Sequence, residues 1–256
     1  MPARDEAALI GAVLDRLLAE VSSPCEVLVV VDRPDDPTIG VVERYAARWP
    51  AVSCLVNDRG TGPAQAIRAG MAAARAPVLV VTMADGSDDP RQINALAGLV
   101  EGGAAVAAAS RYSAGGSQLG GQWPKCLLSR LAGRSLQLLA RPGTSDATNS
   151  FKAYSAALVA SVGIDSRHGF EVGIELTAKA RRMRLPVAEL PTTWRGRQAG
   201  RSSFRLARWL PRYLRWYAFC FGPPLTAEQI RTRTGTCATP GRSRAGASGR
   251  RLGRAG

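Results

Sequence analysis

Three carboxylates, Asp85, Asp88 and Asp89, follow directly on the apolar run Val78-Leu79-Val80-Val81, with Gly86 among them and Pro90 behind. An unbroken β-branched run reads as a strand buried on both faces. Carboxylates at the carboxyl end of such a strand face the crevice where open α/β sheets bind ligands. Hard carboxylate oxygens there suit Mg²⁺ or Mn²⁺ carrying a diphosphate. The same residues also read as a capped turn, with Ser87 or Asp88 as N-cap of a helix that starts after Pro90. Taken alone, they leave both readings open.

Other side chains with chemical potential are scattered. Arg111 follows a run of small residues, and Arg195 to Ser203 form a basic, glycine-containing stretch. Asp146, with Thr148 and Asn149 close behind, reads as a turn with local hydrogen bonds. Glu171 and Glu175 lie one helical turn apart and read as a solvated face pairing with Lys179 and Arg182. His168, the single histidine, stands in a turn without the partners that metal ligation needs.

The elements that position these residues alternate. Leu9, Ile10, Val13, Leu14, Leu17, Leu18 and Val21 recur at helical spacing. Residues 26–32 form a buried-type strand ending in Asp32, 37–48 a helix, and 52–56 a strand entering the Asn57-Asp58-Arg59-Gly60-Thr61-Gly62 turn and an alanine-rich helix to Arg75. After the acidic loop come a helix over 91–101, a strand over 104–110, a mobile loop marked by Gly115, Gly116, Gly120 and Gly121, and a helix over about 125–140. A turn feeding a strand at 146–154, a helix over 170–184 and a strand over 187–194 complete the pattern. Strands alternating with helices predict a doubly wound, mostly parallel α/β sheet of Rossmann-like type.

A chain of 256 residues with 46% apolar content buries one substantial core. Of the formal net charge of +14, about half lies in residues 226–256, which hold seven Arg against one Glu. That stretch, poor in apolar side chains, is expected to be a disordered basic tail beyond a domain over 1–225. The basic balance favours phosphates or an anionic membrane surface; no specific nucleic-acid motif stands out, although the tail could bind nucleic acid nonspecifically. Cys25, Cys54, Cys126, Cys220 and Cys237 lack CxxC spacing and read as reduced thiols. No apolar run approaches the ~20 residues that span a bilayer, so a cytoplasmic location is expected. Arg205, Arg208, Arg212 and Arg215 interleave with Trp209, Leu210, Tyr213, Leu214, Trp216 and Phe219. This basic amphipathic helix suits the headgroup region of a membrane, or else packs its aromatics in the core.

Taken together, Pro2-Ala3-Arg4-Asp5-Glu6, the strand ending at Asp32, the Asn57/Gly60/Gly62 turn, the acidic loop at 85–89, Ala109-Ser110-Arg111-Tyr112, Asp146-Ala147-Thr148-Asn149-Ser150-Phe151 and Glu189-Leu190-Pro191 with Arg197 to Ser202 resemble a family 2 glycosyltransferase. The nearest branch is the dolichol-phosphate mannosyltransferase-like, or polyprenyl-phosphate, group, over residues 2–217. The resemblance implies a GT-A fold and inverting transfer of a hexose from a GDP- or UDP-linked sugar to a polyprenyl phosphate, with Mg²⁺ or Mn²⁺, at the inner membrane face. It implies a donor pocket of Pro2, Ala3, Glu6, Asp32, Asp58, Gly60, Asp85, Arg197 and Arg201. Asp32 would lie near the nucleobase, and the two late arginines would close over the diphosphate or the acceptor. It assigns the acceptor phosphate to Arg111, Lys125 and Ser129, the metal to Asp85 with Ser87 and Asp88 beside it, and catalysis to Asp85, Arg111 and Asp146. Other readings are a family 2 enzyme with a glycan or small-molecule acceptor, and an impaired membrane- or nucleic-acid-binding module.

Two departures stand out. Met83 replaces the first acid of the usual Asp-x-Asp. The apolar strand that normally runs into the Pro-Ala segment is missing, so the first strand is expected to be absent, and a longer form of the chain to be more soluble and heat-resistant.

Overall fold

The computed structural model describes residues 1–120, 123–196, 206–235 and 251–252, with the side chains of 124–125, 206–209 and 251–252 outside the description. The chain runs β1 (Pro2–Ala3), α1 (Ile10–Glu20), β2 (Val27–Val31), α2 (Thr38–Ala46), β3 (Val52–Val56), α3 (Pro63–Ala73), β4 (Val78–Val81), a 3-10 turn (Pro90–Gln92), α4 (Ile93–Glu101) and β5 (Val106–Ser110). It continues through β6 (Ser117–Leu119), α5 (Trp123–Leu139), β7 (Lys152–Ser155), α6 (Ala156–Val162), α7 (Val172–Arg182), β8 (Val187–Pro191), β9 (Thr193–Arg195), α8 (Leu206–Phe219), α9 (Ala227–Thr234) and β10 (Arg251–Leu252).

Successive strand side chains point to opposite faces, and that alternation builds a doubly wound α/β fold. Val27, Val29 and Val31 meet Ile10, Leu14 and Val42 of α1 and α2, while Val30 and Leu55 meet Ala66 and Ala69 of α3 on the other face. Four strands lie in the order β1-β2-β3-β10 and four in the order β4-β7-β5-β8, with β6 and β9 forming a small third sheet. Ala107 and Ala109 of β5 join the same core as Val29, so the two larger sheets share one interior. Pairings β1·β2, β2·β3 and β5·β8 are parallel. β7 lies antiparallel between β4 and β5.

Several expectations need correction. The first strand is present, though only as Pro2–Ala3, registered on Val30 and Val31; the Met1 ammonium donates to the Leu28 carbonyl at 2.9 Å, and burial pulls its pKa down to about 5. The glycine-marked loop contains β6, paired with β9. The expected disordered tail begins with an ordered helix: Thr226 and Gln229 form a capping box on α9, whose Ile230 is fully buried beside Leu158 and Leu176; β10 pairs with β3. Helix α6, not foreseen, starts at Ser155, whose side chain accepts from the Leu158 N–H.

Helices α7 and α8 depart most from expectation. Glu171, Glu175, Lys179 and Arg182 are buried, not solvated. Glu175 does pair with Lys179 at 2.6 Å, but inside the protein. The carboxylate also accepts the Asp165 and Ser166 N–H groups. In α8, Trp216 and Cys220 pack on Leu136, Ala140, Ile174 and Ala178, and the Trp216 indole N–H donates to Ser166 Oγ at 3.0 Å. Among the described side chains of α8, Tyr213, Trp216, Tyr217 and Phe219 therefore pack in the core, the second of the two readings of this helix, while Trp209 lies outside the description.

Candidate active site

The carboxyl ends of β1, β2 and β3 gather the first group of residues. Asp32, one residue past β2, accepts the Gly62 N–H at 2.8 Å and the Asn57 amide at 3.2 Å, so it ties the β2 and β3 loops together. Gly62 takes φ +113°, and a Cβ there would lie 2.6 Å from the His168 carbonyl, which brings the exposed 167–168 turn to the same place. Asp58 projects into solvent beside Gly60, whose φ is +104°. On the β1 side, Pro2 and Ala3 are buried in the sheet, and the Glu6 N–H donates to Thr38 Oγ1 at 2.9 Å. Asp5, at φ +55°, accepts from Arg33 at 2.9 Å. Pro2, Ala3, Glu6, Asp32, Asp58 and Gly60 thus lie at one sheet end.

The acidic loop does two jobs. Asp89, not Ser87 or Asp88, caps the turn that follows, accepting from the Arg91 N–H and side chain. Asp88 is turned inward, where it accepts the Met83 N–H at 2.9 Å and the Thr82 hydroxyl at 3.1 Å. Burial, aided by the charge of Asp85, raises its pKa to about 7. Ser87 is buried, and its carbonyl accepts the Arg195 N–H at 3.1 Å. Asp85 and Asp89 are both half-exposed, but Asp89 is engaged by Arg91; Asp85 Oδ1 accepts the Ser87 N–H at 3.1 Å, while Oδ2 has no hydrogen bond among the described residues. No three His, Cys, Asp or Glu side chains among the described residues form a metal cage. This donor set fits a magnesium-like ion that takes one carboxylate from the protein and the rest from a diphosphate and water. Asp88 does not belong to it.

The third group is a buried charge network after β5. Arg111 binds Asp146 as a fork, Nε to Oδ2 at 2.7 Å and Nη2 to Oδ1 at 2.9 Å, while its own N–H donates to Oδ2 at 3.1 Å. The Asp146 side chain is 0% exposed and that of Arg111 11%. Burial would raise the Asp146 pKa, but the guanidinium reverses this and holds it below the usual carboxylate value. Burial likewise works against the Arg111 cation, and Asp146 more than offsets it. Nη2 also reaches Ser129 Oγ at 3.2 Å and Thr148 Oγ1 at 3.4 Å, and these two hydroxyls lie 2.7 Å apart. Ser129 gets there because Gly133 lets α5 lie directly on the Ser145 carbonyl, where a Cβ would collide. Asp146 also accepts from Asn149 N and Thr148 Oγ1, so the local turn and the ion pair coexist.

Beneath this network lies Lys152, which sequence reading missed. Its ammonium donates to the carbonyls of Asp146, Ala147 and Asn149, and burial lowers its pKa to about 7. Glu189 of β8 supports the other side, accepting the Ser145 N–H at 2.8 Å and the Thr144 hydroxyl at 2.9 Å. The Arg111 guanidinium is near enough for its charge to oppose, weakly, the upward shift of Asp88. Lys125 lies in the first turn of α5 with its side chain outside the description, and Arg197 and Arg201 lie outside the described residues.

Comparison with known proteins bears on the family and the fold. The model of the family described as Glycosyl transferase family 2 matches residues 1–163. A polyprenol monophosphomannose synthase from Mycolicibacterium smegmatis is 31% identical over 145 residues, covering 52% of this chain and 54% of that protein, so the match spans about half of its length. Among solved structures, glucosyl-3-phosphoglycerate synthase from Mycobacterium tuberculosis in complex with UDP superposes with a TM-score of 0.64 at 20% identity, over 88% of this chain and 79% of that one. The same enzyme with Mn²⁺, UDP and phosphoglyceric acid gives 0.65 at 20% identity, over 88% and 78%. At this identity the likeness establishes the fold.

Proposed function

Because the chain belongs to glycosyltransferase family 2, we propose that it transfers a hexose, with inversion, from a GDP- or UDP-linked donor to a polyprenyl phosphate at a membrane surface. The observation that carries this reading is the buried Arg111–Asp146 pair, with the Ser129 and Thr148 hydroxyls beside it, on the inner side of a helix whose outer side is apolar. Arg111 is held by Asp146 in one orientation, and Nη1 makes no hydrogen bond among the described residues. A phosphate there meets a fixed guanidinium and two hydroxyls, a geometry suited to its oxygens.

A phosphate monoester is already ionised at neutral pH, so the reaction needs no general base. Its oxygen forms a bond to the anomeric carbon from the face opposite the leaving group, as the bond from that carbon to the diphosphate oxygen breaks. Arg111 and Ser129 supply orientation, the largest help that positioning side chains give to a bimolecular step. Asp85 would hold a divalent cation, which when bound neutralises charge developing on the departing diphosphate. Asp32, Glu6 and Asp58 would line the nucleoside end of the donor.

Helix α5 supports a lipid acceptor. Trp123, Leu138 and Leu139 are 76%, 74% and 70% exposed, and Leu127, Leu128 and Leu131 continue the apolar face. Exposed Arg130 and Arg134 accompany them, and no acidic residue lies in the helix. A basic helix with an unburied apolar side suits the headgroup region of a bilayer. Among the described residues no helix is long and apolar enough to cross a membrane. The deciding test is transfer of label from a panel of nucleotide sugars into organic-extractable polyprenyl phosphate, with Mg²⁺, with Mn²⁺ and in chelator. Metal-dependent labelled lipid from one donor is the expected outcome. Donor binding without lipid product would overturn the acceptor assignment and move a small-molecule or glycan acceptor ahead.

A further inference from the structure

The far end of α5 carries a second basic feature, remote from the site above. Arg141, Arg181 and Arg184 line an open pocket of about 370 Å³, with Pro142, Gly143, Leu185 and Val187. Val187 pairs with Val106 at the start of β5, whereas Pro191 pairs with Ser110 next to Arg111. The pocket is therefore at the opposite end of the strands from the transfer site, roughly 18 Å from Ser129 along α5 at 1.5 Å per residue.

Two independent observations mark it as a binding site. First, the positive charge is uncompensated: no carboxylate lines the pocket, and none of the three arginines is in an ion pair among the described residues. Arg181 donates Nε to the Ala140 carbonyl at 2.5 Å, which fixes it at the rim. Second, the backbone is strained. Among the described residues only Asp5, Arg141 and Arg184 adopt positive φ without being glycine. Asp5 pairs with Arg33 in the loop after β1; the other two both line this pocket, at φ 51° and 55°. Each lies two residues past the end of a helix, α5 (ending at Leu139) and α7 (ending at Arg182) respectively, a position glycine often takes because it has no Cβ to clash. One cation per helix would suffice to offset the partial negative charge of the two carboxyl-terminal ends. Three forked cations around one apolar-floored hollow exceed that need.

We propose that this pocket binds the phosphate of an anionic phospholipid headgroup, anchoring the carboxyl-terminal end of α5 to the bilayer while the other end presents the acceptor phosphate to Arg111. The choice of a lipid rests on what adjoins the pocket. Leu138 and Leu139 are exposed immediately before Ala140 and Arg141, so an apolar patch and a phosphate-binding fork lie side by side, matching the acyl and headgroup layers of one lipid. This inference rests on the membrane reading of α5 and adds to it a distinct headgroup site.

The test measures partitioning of the full chain onto phosphatidylcholine vesicles with and without phosphatidylglycerol. It compares the wild type, Arg141→Gly/Arg184→Gly, Leu138→Ser/Leu139→Ser, and Arg130→Gln/Arg134→Gln as an equal-charge control. Glycine relieves the backbone at both positions, so the first variant is expected to keep or raise its Tm. Its affinity for anionic vesicles should nevertheless fall about tenfold further than that of the control, through loss of forked phosphate contacts beyond diffuse attraction. Transfer to a short, water-soluble polyprenyl phosphate should be unchanged. Equal losses in the two arginine variants would reduce the effect to diffuse charge and overturn the headgroup site. Reduced transfer to the soluble acceptor by Arg141→Gly/Arg184→Gly would assign these arginines to the acceptor instead, and also overturn it. If the wild type binds neither kind of vesicle while transfer persists, the membrane reading itself falls, and the headgroup site with it.

Discussion

The proposed donor side and the proposed acceptor side of the site are built on opposite principles. At the ends of β1, β2 and β3 the carboxylates either organise loops, as Asp32 does, or stand open to solvent, as Asp58 does, and Asp85 keeps one oxygen uncommitted. After β5 the charges are internal: Asp146 is fully buried, Arg111 is gripped by it, and Lys152 is sealed beneath. The open side leaves its electrostatics to be completed by a ligand and an ion. The closed side has completed its own, so that a phosphate bound there, as proposed, would meet a cation that does not have to move. Substitutions on the two sides should therefore fail differently, one in function and the other first in folding.

The largest effect is expected from Asp146→Ala. It leaves a buried guanidinium unpaired, which costs about 3–5 kcal/mol, a Tm decrease of roughly 10 °C or more, together with loss of transfer. Thermal and urea unfolding measure it. The double variant Arg111→Ala/Asp146→Ala should recover part of the stability and none of the activity; a purely additive pair would show that the two charges are not coupled. Asp85→Asn should behave oppositely, with transfer down about 10²–10³-fold and stability within about 0.5 kcal/mol of wild type. A stability loss there as large as that of Asp146→Ala would erase the contrast between the sides.

Asp88 and Asp146 sharpen the comparison through pH. Burial raises Asp88 to about 7, so the folded state takes up a proton that the unfolded chain, near 4 for an aspartate, releases. Its stabilising contribution is present below about pH 4 and is lost as pH rises to 7. For Asp146 the folded value is depressed, so its contribution is present above the unfolded value and is lost as pH falls through the folded one. Asp88→Asn should therefore flatten the decline in stability between about pH 4 and 7, by an amount of order 1–3 kcal/mol, and leave acid unfolding below that range unchanged. Unfolding curves across pH decide this, and an unaltered slope in Asp88→Asn would rule out a raised Asp88.

Much of the geometry of the open side was legible in sequence because its signals are local: β-branched strands that end near Asp32 or Asp85, and a turn with glycine at positive φ at 60 and 62. The acceptor side was legible only in part. Arg111 and Asp146 were identifiable, but not their mutual fork, since 35 residues separate them. Glu175 and Lys179 misled because i, i+4 opposite charges usually mark a solvated face. Here the Val162 and Gly163 carbonyls and the Asp165 carboxylate surround the lysine from a distant turn, and that distant satisfaction permits burial. Helix α8 could be read two ways for the same reason, since the partners of Trp216 lie on α5 and α7. Among the described residues the larger exposed apolar side lies on α5, whose spacing gives no hint of which side faces out.

The smallest effect probes whether the closed side touches the acceptor at all. Ser129 Oγ lies 3.2 Å from Arg111 Nη2 and 2.7 Å from Thr148 Oγ1. Removing it leaves the Arg111–Asp146 fork intact, so folding should be unaffected. A phosphate bound beside Arg111 loses one hydrogen bond, worth about 0.5–1.5 kcal/mol, and KM for polyprenyl phosphate should rise roughly three- to tenfold. KM for the nucleotide sugar should stay within about twofold, because the donor lies on the open side. Steady-state kinetics with each substrate varied separately make the distinction. If Ser129→Ala instead raises the donor KM alone, the serine serves the open side and the acceptor phosphate binds elsewhere. If neither KM moves while Asp146→Ala still unfolds the protein, the buried pair is a brace for β5 and α5, and the acceptor must be held by residues beyond this cluster.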